Sequence, residues 1–188
     1  MFLGKKLQIF FKLKIQEKKI KRKEFQESTN IDVSTTNNIV NGRCRNPTLM
    51  TLVKIADYFN CSIDEVIGRN KKYYLSSQHY KNLTNDYMMN SLKDFIQHKL
   101  TETNLSKIQL AKTIGLSEKV FFKFLDNKGT QKNLSTVTIL ILADHFNISI
   151  DSILNRIDNV QSQKYSIYNL NHFIHQQSVT TSNNKKDF

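Results

Sequence analysis

Histidine and cysteine offer this chain its most versatile chemistry, and their spacing gives them little to do. His172 and His175 lie three apart, which on a helix would turn two rings to one side. A metal needs further ligands, and no third stands near them, so coincidence is the expectation. His79, His98 and His145 have no acid or nucleophile beside them in an arrangement that suggests acid–base or covalent work. Cys44 and Cys61 make no disulfide framework and lack the paired spacing of a zinc site, which suits a reduced cytoplasm. Neither a Gly-rich phosphate loop, a GxSxG elbow nor an HExxH helix occurs. The expectation is a protein without cofactor, metal or catalytic activity.

Charge is more informative. Against 16 Asp and Glu stand 28 Lys and Arg, a formal net charge of +12 and a pI of about 9.7. Such a surface favours polyanions, because neutralised phosphates release their counterions. No run of eighteen apolar residues exists, so nothing is expected to span a bilayer. Met1–Leu13 mixes Phe2, Leu3, Ile9, Phe10 and Phe11 with Lys5, Lys6 and Lys12, unlike the unbroken apolar core of a signal peptide. No membrane partner is expected, and the location is expected to be cytoplasmic.

The elements that position these charges are helices. Five glycines and one proline leave few tight turns, and apolar residues recur at three- and four-residue steps. They also recur over a longer distance. Ile63-Asp64-Glu65-Val66-Ile67 is echoed 87 residues on by Ile150-Asp151-Ser152-Ile153-Leu154, and the same offset pairs Ala56-Asp57 with Ala143-Asp144 and Phe59-Asn60 with Phe146-Asn147. Upstream the offset is 85, pairing Leu7 with Leu92, Phe10 with Phe95, Phe25 with Leu110, Ile31 with Leu116 and Ile39 with Phe124. An all-α chain follows. It comprises a five-helix domain over 5–69, a linker over 70–85, a second five-helix domain over 86–156 and a segment over 157–188 with a disordered end.

Within the second copy a first helix is expected from near Asp86 to Leu100. Ser106 should cap the next, Gly115 make the turn, Ser117 cap the third, and Ser135 or Thr136 open the fourth. In the first copy Pro47 is expected at an early helix position, where its missing N–H is not needed.

The second copy's Leu105-Ser106-x-x-x-Leu110-Ala111, Gly115-Leu116-Ser117, Phe121 and Phe124 resemble the phage-repressor family of helix-turn-helix proteins, which includes lambda repressor and Cro. The first copy matches later, at Ile39-x-x-Gly42, Asn46-Pro47-Thr48-Leu49, Leu52-x-x-Ile55-Ala56-Asp57 and Ser62-Ile63-Asp64-Glu65. The resemblance covers about 5–69 and 86–156. It departs at Gln26, where the family usually has alanine, at Asn30 for the turn glycine, and at Asn127 for the glycine after the third helix, with Gly129 near enough to replace it.

That resemblance implies that the third helix of each copy enters the major groove of double-stranded DNA while the second crosses the backbone. In the first copy the third helix would span Asp32 to Val40, with Thr36 and Ile39 inward and Val33, Ser34, Thr35, Asn37 and Asn38 outward toward bases. Arg22 and Lys23 would meet phosphate or a flanking guanine, and Arg43 and Arg45 the backbone. In the second copy Lys107, Ser117, Lys119, Lys123 and Lys128 are the corresponding candidates, beside Glu118, Val120 and Phe122. Residues 1–70 carry thirteen Lys and Arg against seven acids, and residues 92–156 nine against six, so the first copy is expected to bind better.

The function implied is sequence-specific transcriptional regulation, with repression by operator occupancy expected. A homodimer reading a palindrome with its first copy is preferred over one chain reading two unlike halves. The alternative is an antitoxin-like regulator whose second copy or C-terminal segment, with Tyr165, Ile167, Tyr168, Leu170, Phe173 and Ile174, holds a protein partner. A third reading takes Lys71-Lys72, Tyr73-Tyr74, Tyr80 and Tyr87 as a single-strand stacking surface, although packing between domains is the commoner use of such residues.

Overall fold

The computed structural model describes residues 3–69, 80, 81, 83–126 and 133–157. Ten helices stand among them: α1 (Leu3–Glu17), α2 (Arg22–Thr29), α3 (Val33–Val40), α4 (Leu49–Phe59), α5 (Ile63–Val66), α6 (Asn85–Thr103), α7 (Lys107–Thr113), α8 (Glu118–Leu125), α9 (Thr136–His145) and α10 (Ile150–Ile153). They fall within a single compact unit ending at Ile157.

Short helices like these need their ends fixed, because each leaves backbone donors without intrahelical partners. Eight of the ten open on a Ser, Thr or Asp whose side-chain oxygen accepts from the N–H three residues on. Asp32 accepts from Thr35 N–H at 2.7 Å, and Ser135 from Thr138 N–H at 3.1 Å. Ser106 is the more complete case, since the Gln109 side chain returns to accept from the Ser106 N–H at 2.8 Å.

With glycine scarce, asparagine takes much of the left-handed punctuation. Positive φ occurs at Lys19 and Asn104, and at Asn30 and Gly115, pairs 85 residues apart. It occurs again at Asn60 and Asn147, and at Gly68 and Asn155, pairs 87 apart. Backbone punctuation therefore repeats at the same two offsets as the apolar residues.

Pro47 is not inside a helix. The cap of α4 is Thr48, so Pro47 precedes it, buried, and its carbonyl accepts from the Thr136 hydroxyl at 2.8 Å. Sequence reasoning credited the proline for its missing donor, whereas its surroundings use the acceptor. The α6 helix begins near where expected, at Asn85 behind a Thr84 cap, and runs three residues past Leu100 to Thr103.

The core is aromatic in the first five helices. Phe11 meets Phe25 edge-on at 4.8 Å between ring centroids, and Phe10 meets Phe59 edge-on at 5.6 Å. In the second five, Leu92, Ile96, Leu110, Phe121, Phe124, Ile139 and Leu142 are fully buried.

Contacts between the two series are reciprocal. The Ile150 N–H, at the start of α10, donates to Asp64 Oδ2 at 2.9 Å, and the Ile63 N–H, at the start of α5, donates to Asp151 Oδ2 at 2.9 Å. Each carboxylate therefore serves the opening turn of the other series' last helix. An arginine holds each one in place: Arg69 donates to Asp64 Oδ1 at 2.7 Å and Arg156 to Asp151 Oδ1 at 2.5 Å. The same arginines cross over, Arg69 to Asp144 and the Ile148 carbonyl, Arg156 to Asp57 and the Cys61 carbonyl. Every residue in one set lies 87 positions from its counterpart in the other.

Candidate nucleic-acid interface

The outward face of α3 is built by what its other face must bury. Thr36 and Ile39 are fully buried, and the Thr36 hydroxyl returns to the Asp32 carbonyl at 3.1 Å. One helical turn then leaves Val33, Ser34, Asn37 and Asn38 exposed, with Val33 at 60%. Thr35, expected outward, is half-buried, and both its hydroxyl and its N–H hold the Asp32 carboxyl below its ordinary value. The charge of Asp32 thus stays at the helix start, where the backbone donors favour it.

Arg22 opens α2 and is exposed. Lys23, next to it, lies 3.9 Å from Glu27 in an exposed pair, which screening makes weak. The loop after α3 presents Arg43 and Arg45 to solvent. Its path is fixed from below. The Asn38 carbonyl accepts from both Arg43 N–H (2.8 Å) and Cys44 N–H (3.1 Å), Gln8 Nε2 donates to the Val40 carbonyl at 2.8 Å, and Gly4 lets α1 press against the Cys44 carbonyl. Gln8 and Gly4 were absent from the sequence-derived site. Gly4 stands in an apolar, helix-like segment where nothing marks it as a contact point.

In the second series, α7 and α8 place Lys107, Lys119 and Lys123 on the surface. The Ser117 hydroxyl is engaged as the cap of α8, accepting from Val120 N–H at 3.4 Å. Glu118 is half-buried, 4.0 Å from Lys112. Phe122 is 40% exposed and Ile108 42% exposed, so this face carries an aromatic ring and an aliphatic side chain where that of α2 and α3 carries Val33 among polar residues. Lys128, Asn127 and Gly129 lie outside the described residues, as do Tyr73, Tyr74, His79, His172, His175 and the late aromatic cluster. Of the linker aromatics, Tyr80 is half-buried and lies 4.1 Å below the Arg156 guanidinium, while Tyr87 accepts from Asn155 at 2.8 Å. Tyr80 is thus engaged in packing, whereas Tyr87 is 41% exposed.

Burial pushes the Asp151 carboxyl up, to about 6, with the Arg156 guanidinium pulling against it, and pushes Asp64 in the same direction. This Asp–Arg set escaped sequence reasoning, although its signal was present. Asp57, Asp64 and Arg69 recur as Asp144, Asp151 and Arg156 in a repeat in which most polar positions differ. No helix among the described residues is long and apolar enough to cross a membrane, and no group of three His, Cys, Asp or Glu there could hold a metal ion.

Residues 12–72, which hold α2 to α5, match the Cro/C1-type HTH DNA-binding domain. Over 72 residues, 37% of this chain, the sequence is 42% identical to an uncharacterized HTH-type transcriptional regulator of Rickettsia conorii. It is 40% identical over 72 residues to a second such regulator, from Rickettsia prowazekii. The chain spans 66% of the length of the first relative and 78% of the second. Helices α6 to α10 lie outside the 12–72 match. No solved structure matches this chain.

Proposed function

Because this chain belongs to the Cro/C1-type helix-turn-helix family, we propose that it binds double-stranded DNA at specific sequences and represses transcription by occupying an operator. The observation that carries the proposal is the α3 face: Val33, Ser34, Asn37 and Asn38 are exposed together on a helix whose opposite side is sealed by Thr36 and Ile39. Asn amides can bond adenine in pairs, hydroxyls can bond several base edges, and a Val methyl can meet thymine. Arg22, Lys23, Arg43 and Arg45 stand exposed at the two flanks of that face, where phosphates would pass.

Helices α6 to α10 are a second unit of the same kind in this proposal. The offsets of the apolar residues, of the left-handed residues and of the reciprocal ion pairs support that reading. Its DNA contacts would come from Lys107, Lys119, Lys123 and Lys128, with Ser117 setting the start of α8. A cytoplasmic setting and a non-enzymatic role go with it.

Selection from a pool of random duplexes with the full chain tests the function. Enrichment of a defined motif, with affinity falling steeply as salt rises, is the expected result. Binding to all duplexes alike would remove the claim of specificity, and no binding at low salt would remove the function.

A further inference from the structure

Units of this size gain affinity by presenting two recognition helices to successive turns of the duplex, which normally requires two chains. Here the pairing already exists inside one chain. The last helix of each series opens on the other's carboxylate, with Ile150 N–H on Asp64 and Ile63 N–H on Asp151, both at 2.9 Å. Such an exchange, in which i contacts j and j contacts i, is the signature of an isologous two-fold contact. It is made by groups with no other place to go, since Asp64, Asp151 and Arg156 are fully buried.

A second contact joins the segments that follow α3 and α8. Thr136 donates to the Pro47 carbonyl, and a cleft between the two segments is lined by Pro47, Leu49, Leu134 and Thr136. A two-fold relation between the series would give α3 and α8 the same height along its axis.

Their faces are unlike. Positions held by Ser34, Asn37 and Asn38 in α3 are held by Lys119, Phe122 and Lys123 in α8, and Lys23 is replaced by Ile108. Hydrogen-bond readers on one side are thus matched by cations and an exposed ring on the other.

We propose, building on the DNA-binding function above, that one chain is the DNA-binding unit, and that its target is a non-palindromic duplex with two unlike half-sites. The α3 half is read by hydrogen bonds to base edges. The α8 half is held through its phosphates by Lys107, Lys119 and Lys123, and is selected for thymine by contact of Phe122 with the C5-methyl group. This replaces the homodimer on a palindrome expected from the sequence.

Duplex selection with the full chain, followed by light scattering of the complex, tests it. The expected result is one chain per duplex and a motif without internal inverted symmetry. Asn37→Ala should relax preference at a position in one half only, and Phe122→Ser should abolish the thymine preference in the other half only. Phe122 is exposed, so its replacement leaves the core intact. Two chains on an inverted repeat would overturn the inference while leaving the proposed function standing. So would a motif untouched by Phe122→Ser, which would assign the α8 face to a protein partner. Failure to enrich any duplex would overturn both.

Discussion

Asn37 and Asn38 are neighbours on the exposed side of α3, but they are not interchangeable with the arginines in the following loop. An amide that bonds a base edge in two places discriminates, so replacing either Asn with Ala should weaken the preferred duplex by about 1–3 kcal/mol for each such contact and relax preference at that position. Arg43→Ala or Arg45→Ala should instead weaken all duplexes alike and reduce the salt slope by about one. Binding measured on preferred and scrambled duplexes across a salt series separates the two classes. Cys61 makes a different prediction. Burial and the nearby Glu65 carboxylate raise its thiol to about 12 from an ordinary value of 9.0. At pH 8 the folded protein should therefore leave Cys61 unalkylated by iodoacetamide, and denaturant should expose it. A group raised in this way favours the folded state fully below pH 9.0 and loses that contribution as pH rises through about 12. Rapid labelling of native protein at Cys61, read by peptide mass, would contradict the burial.

At the scale of elements, much was legible because capping is a local code. Ser106 and Ser117 were each identifiable from one hydroxyl ahead of an apolar-periodic stretch, Ser135 was one of two candidates beside Thr136, and each caps the helix that follows. The left-handed turn at Asn30 followed from the residue standing in for glycine. What was not legible depends on groups distant in sequence. Pro47 could not announce that its carbonyl would meet Thr136, and Gln8 gave no sign of the Val40 carbonyl 32 residues away. Gly4 shows the limit well. A Cβ there would overlap the Cys44 carbonyl oxygen, so Gly4→Ala must push α1 and the Arg43–Arg45 loop apart. A destabilisation of about 1–3 kcal/mol is expected in urea unfolding, as for other overpacked contacts. DNA affinity should fall with it, since the loop carries two arginines. A variant as stable as the parent would mean that α1 does not hold the loop.

For the whole molecule the decisive feature is the pair of crossed carboxylates. Removing one partner of a buried charged pair leaves the other stranded, and Asp151→Ala should destabilise the protein by about 3–5 kcal/mol. Asp151→Asn should do less harm, because an amide oxygen can still accept from the Ile63 N–H and burial already disfavours the charge at this position. Equal losses for the two variants in urea unfolding would assign the effect to the ion pair alone. Arg69 and Asp144 form a more open pair, with the Asp144 side chain 69% exposed, so Asp144→Ala should cost less than Asp151→Ala. A pairing surface held within one chain also cannot be diluted away. A regulator that must find its twin responds to the square of its own concentration and can be captured by a related subunit with a similar face. If one chain is the binding unit, as proposed above, it should occupy its target in simple proportion to copy number, exchange no subunits with its relatives, and leave its two faces free to change independently.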